Sequence, residues 1–103
     1  MKQENKIQEM QILEQSLQNL LMQKQAFQME LTETQSALKE IENSGEDVFK
    51  IIGQLMIKTD KSTIKEELSD KEKMLELRIK TLEKQENSFS EKAEDLRKQI
   101  LGK

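Results

Sequence analysis

Two long stretches of the chain, residues 6–43 and 62–101, contain neither glycine nor proline, and in both the apolar residues return every third or fourth position. No other feature constrains folding as tightly, because this spacing lines one side of an α-helix with apolar side chains and leaves the rest to solvent. In the first stretch Met10, Leu13, Leu17, Leu20, Phe27, Leu31, Leu38 and Ile41 form the stripe, with Lys24 and Thr34 filling its two gaps. In the second, Leu68, Leu75, Leu82, Phe89 and Leu96 recur every seven residues, joined by Ile79, Ala93 and Ile100 at the alternate position. This is an a/d heptad pattern held over about five heptads in each stretch, the mark of a coiled-coil seam. The background residues are mainly Gln, Glu, Lys, Leu and Met, which are good helix formers. At about 1.5 Å per residue each helix reaches about 57 to 60 Å.

Two helices of matched length joined by a short segment predict an antiparallel pair. A constant-sum register sets Met10 against Leu96, Leu13 against Ala93, Leu17 against Phe89, Phe27 against Ile79, Leu31 against Leu75 and Leu38 against Leu68. Three layers are imperfect: Leu20 with Glu86, Lys24 with Leu82, and Thr34 with Glu72. Long charged side chains lay their methylenes along a seam and carry the charge to water, so such layers weaken the pair without breaking it. The alternative arrangement pairs each helix with another chain.

The middle segment changes period. Val48-Phe49-Lys50-Ile51-Ile52 and Leu55-Met56-Ile57-Lys58-Thr59 flank Gly53-Gln54, which reads as a β-hairpin whose tight turn takes a positive φ from Gly53. Gly45 is the expected C-terminal cap of the first helix. Asp60, Ser62 or Thr63 opens the second, with Thr63 to Glu66 fitting a capping box. In such a hairpin Val48, Ile52, Leu55 and Ile57 share one face, and Phe49, Ile51 and Met56 the other. Both faces are apolar, yet a lone two-stranded hairpin is marginal and leaves two open edges. The helices have room to cover part of one face near its base, not two faces and two edges. Hairpins from several chains closing into a barrel satisfy all of them, so residues 48–59 predict an obligate oligomer.

Composition excludes most chemistry. Without Cys or His there is no thiolate nucleophile, no Cys/His zinc site and no imidazole acid or base. Nothing resembles an EF-hand or a Gly-rich phosphate loop, so the expectation is no enzyme, no metal and no cofactor. The formal net charge of −3 argues against a nucleic-acid partner. No apolar run has the length of a membrane span or the form of a signal peptide, so a cytoplasmic protein with no membrane partner is expected.

The run VFKIIGQLMIKTDKSTIKEEL, followed by LELRIKTLEKQENSF and preceded by QKQAFQMELTETQSALKEIE, resembles the β-class subunits of the prefoldin family, above all the archaeal form. The likeness covers about Leu17 to Ile100, and its specific part is the hairpin motif of Val48, Phe49, Lys50, Gly53, Leu55, Ile57 and Lys58 between matched helices. One hairpin, where the α class has two, marks the β class. Phe49 stands where many archaeal members have Tyr, and few residues precede the first helix. The resemblance implies a mainly α fold: a long antiparallel two-helix coiled coil whose central β-hairpin joins an intersubunit β-barrel. Residues 1–103 then form a single domain, with coiled-coil helices over 6–43 and 62–101 and the oligomerisation hairpin over 48–59. It further implies a hexamer of two α-class and four β-class subunits, a chaperone that holds unfolded proteins without ATP and passes them to a group II chaperonin. The competing reading is a structural coiled-coil spacer or scaffold that oligomerises through the same hairpin.

The resemblance places client contacts at the coiled-coil tips, near the two termini. Ile7, Ile12 and Leu101 fall off the seam there, beside Met10, Leu13, Leu96 and Ile100, and form the candidate client-binding set. Leu21, Met22 and Met29 also fall off the seam, deeper along the first helix. The candidate oligomerisation set is Val48, Phe49, Ile51, Ile52, Gly53, Leu55, Met56 and Ile57. Glu67 with Lys71, Glu76 with Lys80 and Glu94 with Lys98 have the spacing of helix-supporting ion pairs. Lys92, Arg97, Lys98 and Lys103 are the tip cations that the resemblance makes available to a chaperonin.

Overall fold

The computed structural model describes residues 2–102. The breaker-free stretches are helical, as α1 (Lys2–Asn43) and α2 (Lys61–Ile100), and the strands between them are β1 (Asp47–Ile52) and β2 (Leu55–Asp60). The first helix therefore starts about one turn before residue 6. By backbone proximity the chain divides into two units. One holds α1 up to Phe27 with α2 from Arg78 onward, and the other is Gln28–Leu77, including the hairpin.

In each unit the helices run antiparallel, because partner numbers in α2 fall as those in α1 rise. In the first unit Lys24 pairs with Glu86 at 3.5 Å, and the Arg78 guanidinium lies 5.6 Å from the centroid of the Phe27 ring. In the second, Glu30 meets Lys71 and Glu42 meets Lys65, each at 3.6 Å. Leu20, Ile79 and Leu82 are the buried apolar residues of the first unit, Leu75 and Val48 those of the second. All but Val48 are heptad positions, so the seam forms the described core.

The imperfect layers resolve by local pairing. Lys24 and Glu86, misfits in neighbouring layers, reach each other, while their apolar partners Leu82 and Leu20 stay buried. Thr34 is buried outright, and its hydroxyl donates to the Glu30 carbonyl at 2.8 Å. That back-bond removes the desolvation cost that an unpartnered hydroxyl would carry. Leu75 is 1% exposed. Leu75→Ala is expected to cost about 2–4 kcal/mol, read as a lower denaturation midpoint by helical circular dichroism. Met29→Ala, at an exposed site, stays within about 0.5 kcal/mol of the parent.

At the hairpin the end of α1 differs from expectation, while α2 starts at the first of the three expected positions. Gly45 has no positive φ and is not a left-handed cap. Instead the Ser44 hydroxyl donates to the Ile41 carbonyl at 2.7 Å. The Lys61 ammonium, from the start of α2, reaches the Ser44 carbonyl at 3.0 Å and that of Glu42 at 3.5 Å. The last turn of α1 has no basic residue of its own, so Lys61 supplies the cation that its carbonyl end attracts. The second helix opens at Lys61, which puts Asp60 at the N-cap and Thr63 already inside the first turn, so the Thr63–Glu66 capping box does not mark the start.

Candidate functional site

The hairpin register pairs Val48 with Thr59, Phe49 with Lys58, Lys50 with Ile57, Ile51 with Met56 and Ile52 with Leu55. Cross-strand partners share a face, so Val48, Lys50, Ile52, Leu55, Ile57 and Thr59 form one side and Phe49, Ile51, Met56 and Lys58 the other. Gly53 turns the chain with φ 59° while Gln54 keeps a negative φ. That combination is the type II′ turn, which requires a residue tolerant of positive φ at its first central position.

Of the expected oligomerisation residues only Val48, at the base, is buried; Phe49, Ile51, Ile52, Leu55, Met56 and Ile57 are all exposed. Ile51 stands 69% exposed on one face and Leu55 65% on the other. Among the described residues the sheet has two strands, so neither outer edge has a strand partner there. Near the base, Phe49, Ile51 and Met56 border a groove with Ile41 and Ile64 of the helices. Lys50 ties the hairpin to α2 through Glu67 at 3.0 Å, and Lys58 meets Asp47 at 3.3 Å. Both pairs are largely exposed and contribute little to stability.

The second candidate surface lies where the helix termini meet in the first unit. Ile7, Ile12 and Leu101 are exposed there, and Met10, Leu13, Leu96 and Ile100 are half-buried. The structure gathers Ile12, Leu13 and Leu96 into one open groove, bordered by Glu9, Lys92, Asp95 and Gln99. Ile7, Met10, Ile100 and Leu101 lie outside its lining. Gly102, with φ 77°, closes α2, its N–H donating to the Gln99 carbonyl at 3.2 Å.

The charges pair differently from the expected helix spacings. Glu94 bonds Arg97 at 2.8 Å, one turn away, not Lys98. The Arg97 hydrogen bond, and then its charge, hold the exposed Glu94 carboxyl below the usual range, with Lys98 adding a smaller pull. Glu67 and Lys71 turn to Lys50 and Glu30 instead of to each other. Lys92 lies 5.9 Å from the Phe89 ring centroid, and Lys103 lies outside the described residues. Leu21, Met22 and Met29 are exposed as their off-seam positions imply, and so are Met74 and Leu77 of α2, which the heptad reading passed over. Their i, i+3 spacing off the seam was the available signal.

No described helix is long and apolar enough to cross a membrane. Residues 4–103 match the family described as Prefoldin subunit. The prefoldin subunit beta of Thermococcus onnurineus is 44% identical over 89 residues, which are 84% of this chain and 77% of that one. The one from Sulfurisphaera tokodaii is 41% identical over 93 residues, 88% of this chain and 74% of the relative. The crystal structure of the prefoldin beta subunit from Thermococcus strain KS-1 superposes with a TM-score of 0.89 at 38% identity, covering 96% of this chain and 89% of that one. The likeness takes in helices and hairpin alike, and the chain belongs to the prefoldin subunit family, in its beta class.

Proposed function

We propose that the chain is a holdase subunit that grips unfolded proteins at its coiled-coil tip and delivers them, without ATP, to a group II chaperonin. Family membership makes it a chaperone subunit that assembles with other prefoldin subunits. The fuller reading is a cytoplasmic particle in which four copies join two α-class partners through a barrel of hairpins. Six bare apolar residues on two faces of one hairpin support assembly by that route, since a chain left in this form exposes a template for aggregation.

The observation that carries capture is the apolar side chains that the seam leaves uncovered at the tip. Ile12 is 67% and Leu101 66% exposed, with Ile7 exposed beside them. Isolated apolar residues are ordinary on a surface; a cluster where two helix ends meet is a contact surface. Each contact is weak and non-directional, so one tip accepts many sequences. Several tips acting on one client multiply the grip while each contact still exchanges quickly.

The test is co-expression with an α-class partner, native mass of the particle, and light scattering from chemically unfolded proteins diluted into it. A six-chain particle that suppresses aggregation of unrelated clients without nucleotide is expected. A particle that assembles but leaves aggregation unchanged identifies a structural spacer instead, which needs the hairpin but not an apolar tip.

A further inference from the structure

The tip groove has an apolar floor of Ile12, Leu13 and Leu96 and two carboxylates, Glu9 and Asp95, in its lining. Neither carboxylate has an ion-pair partner among the described residues. The cations nearby are engaged or set back. Lys92, in the lining, has its ammonium near the Phe89 ring. Phe89 lies a turn before Lys92 and Asp95 a turn after it, so this attraction draws the charge away from Asp95. Arg97 is held by Glu94 at 2.8 Å, and Lys98 adds its pull to that same carboxylate. Lys6 stands a turn before Glu9 but outside the groove lining.

We propose that this groove selects unfolded segments in which an apolar side chain is flanked by Lys or Arg, a specificity that rests on the tip-capture reading above. The apolar side chain seats on Ile12, Leu13 and Leu96, and the flanking cation meets Glu9 or Asp95. A Lys or Arg flank suits this floor doubly, because its aliphatic stem adds apolar contact before its charge reaches the rim. A flanking Asp or Glu meets two like charges, offset within the lining by Lys92 alone, whose ammonium is drawn toward Phe89. Segments of this composition are common in soluble proteins, where buried strands and helices are bordered by charged residues, so the bias ranks clients without narrowing them to a few.

Fluorescence anisotropy on the full chain in its assembled form tests this, using three labelled peptides with the same Leu-Phe-Leu centre flanked by Lys, Gln or Glu. At low salt the Lys-flanked peptide is expected to bind about three- to tenfold more tightly than the Gln-flanked one, and the Glu-flanked peptide more weakly still. The gap closes as sodium chloride rises and the screening length shortens to about 3 Å. In E9Q/D95N the three affinities converge on that of the Gln-flanked peptide, which itself does not move. Equal affinities in the parent, or a gap that survives E9Q/D95N, overturn the proposal. So does a native mass that doubles with concentration while peptide is displaced, because a second copy then fills the groove. Ile12→Ser with Leu96→Ser separates the two readings. If it abolishes binding of three equally bound peptides, charge selection fails and tip capture stands; if it changes no peptide's affinity, both fail.

Discussion

Replacing Ile51 by Lys is expected to dissolve the assembled particle while leaving the single chain as stable and as helical as before. Ile51 is 69% exposed and lies opposite Met56 on a face that the helices border only near its base. The substitution therefore removes almost no burial within the chain, and surface changes of this kind stay within about 0.5 kcal/mol. Where a closed barrel turns this face inward, the same side chain is surrounded. The particle then loses about 1.5–3 kcal/mol of apolar burial per copy, and each ammonium is desolvated without a partner, at a further cost of several kcal/mol. Leu55→Lys makes the matching test on the opposite face. Native mass spectrometry of the co-expressed complex reads both. If Leu55→Lys assembles normally and Ile51→Lys does not, the Ile51 face is the one that assembly buries, and the Leu55 face lies on the outside of the barrel. If both assemble, the hairpin is not the joint.

Both faces are legible in the sequence, and the reason is periodicity. Alternation in a strand fixes which residues share a side as soon as the turn is located, and Gly53-Gln54 located it. The heptads likewise marked Leu20, Leu75, Ile79 and Leu82 as seam residues before any contact was known, because spacings of three and four admit one buried stripe. What periodicity does not carry is the reach of long side chains. Lys24 and Glu86 looked like separate defects in adjacent layers, and only three dimensions bring them within 3.5 Å. Charge pairing failed for the same reason: Glu67 and Lys71 have the spacing of partners, but Lys50 and Glu30 from other elements stand closer. Gly45 misled because a glycine marks where a helix stops without stating its φ, and the cap came from Lys61 across the hairpin. At the tip, the exposure of Ile7, Ile12 and Leu101 was legible from their off-seam positions. The gathering of Ile12, Leu13 and Leu96 into one groove was not, since it depends on how two helix ends face each other.

Removing residues 1–13 together with 93–103 is expected to abolish capture of unfolded proteins while the particle keeps its full six-chain assembly. The deletion takes away every member of the proposed client-binding set and both walls of the groove. It spares the Lys24–Glu86 pair, the buried Leu20, Ile79 and Leu82, and the whole of Gln28–Leu77 with its hairpin. Because the new ends fall within helices that stay paired, fraying is confined to about one turn at each end. The assembly surface is untouched, so comparing the truncated chain with its parent by native mass and by aggregation suppression separates the two functions. Avidity sharpens the result: when each of several arms holds a client weakly, losing the contact on every copy of this chain lowers the total affinity by far more than a proportionate share. Suppression at or near the parent level with the tips gone moves capture elsewhere, and the exposed Leu21, Met22 and Met29 along α1 become the surface to substitute next. Loss of suppression together with loss of the six-chain particle ties the tip to assembly and removes the case for a dedicated client site there.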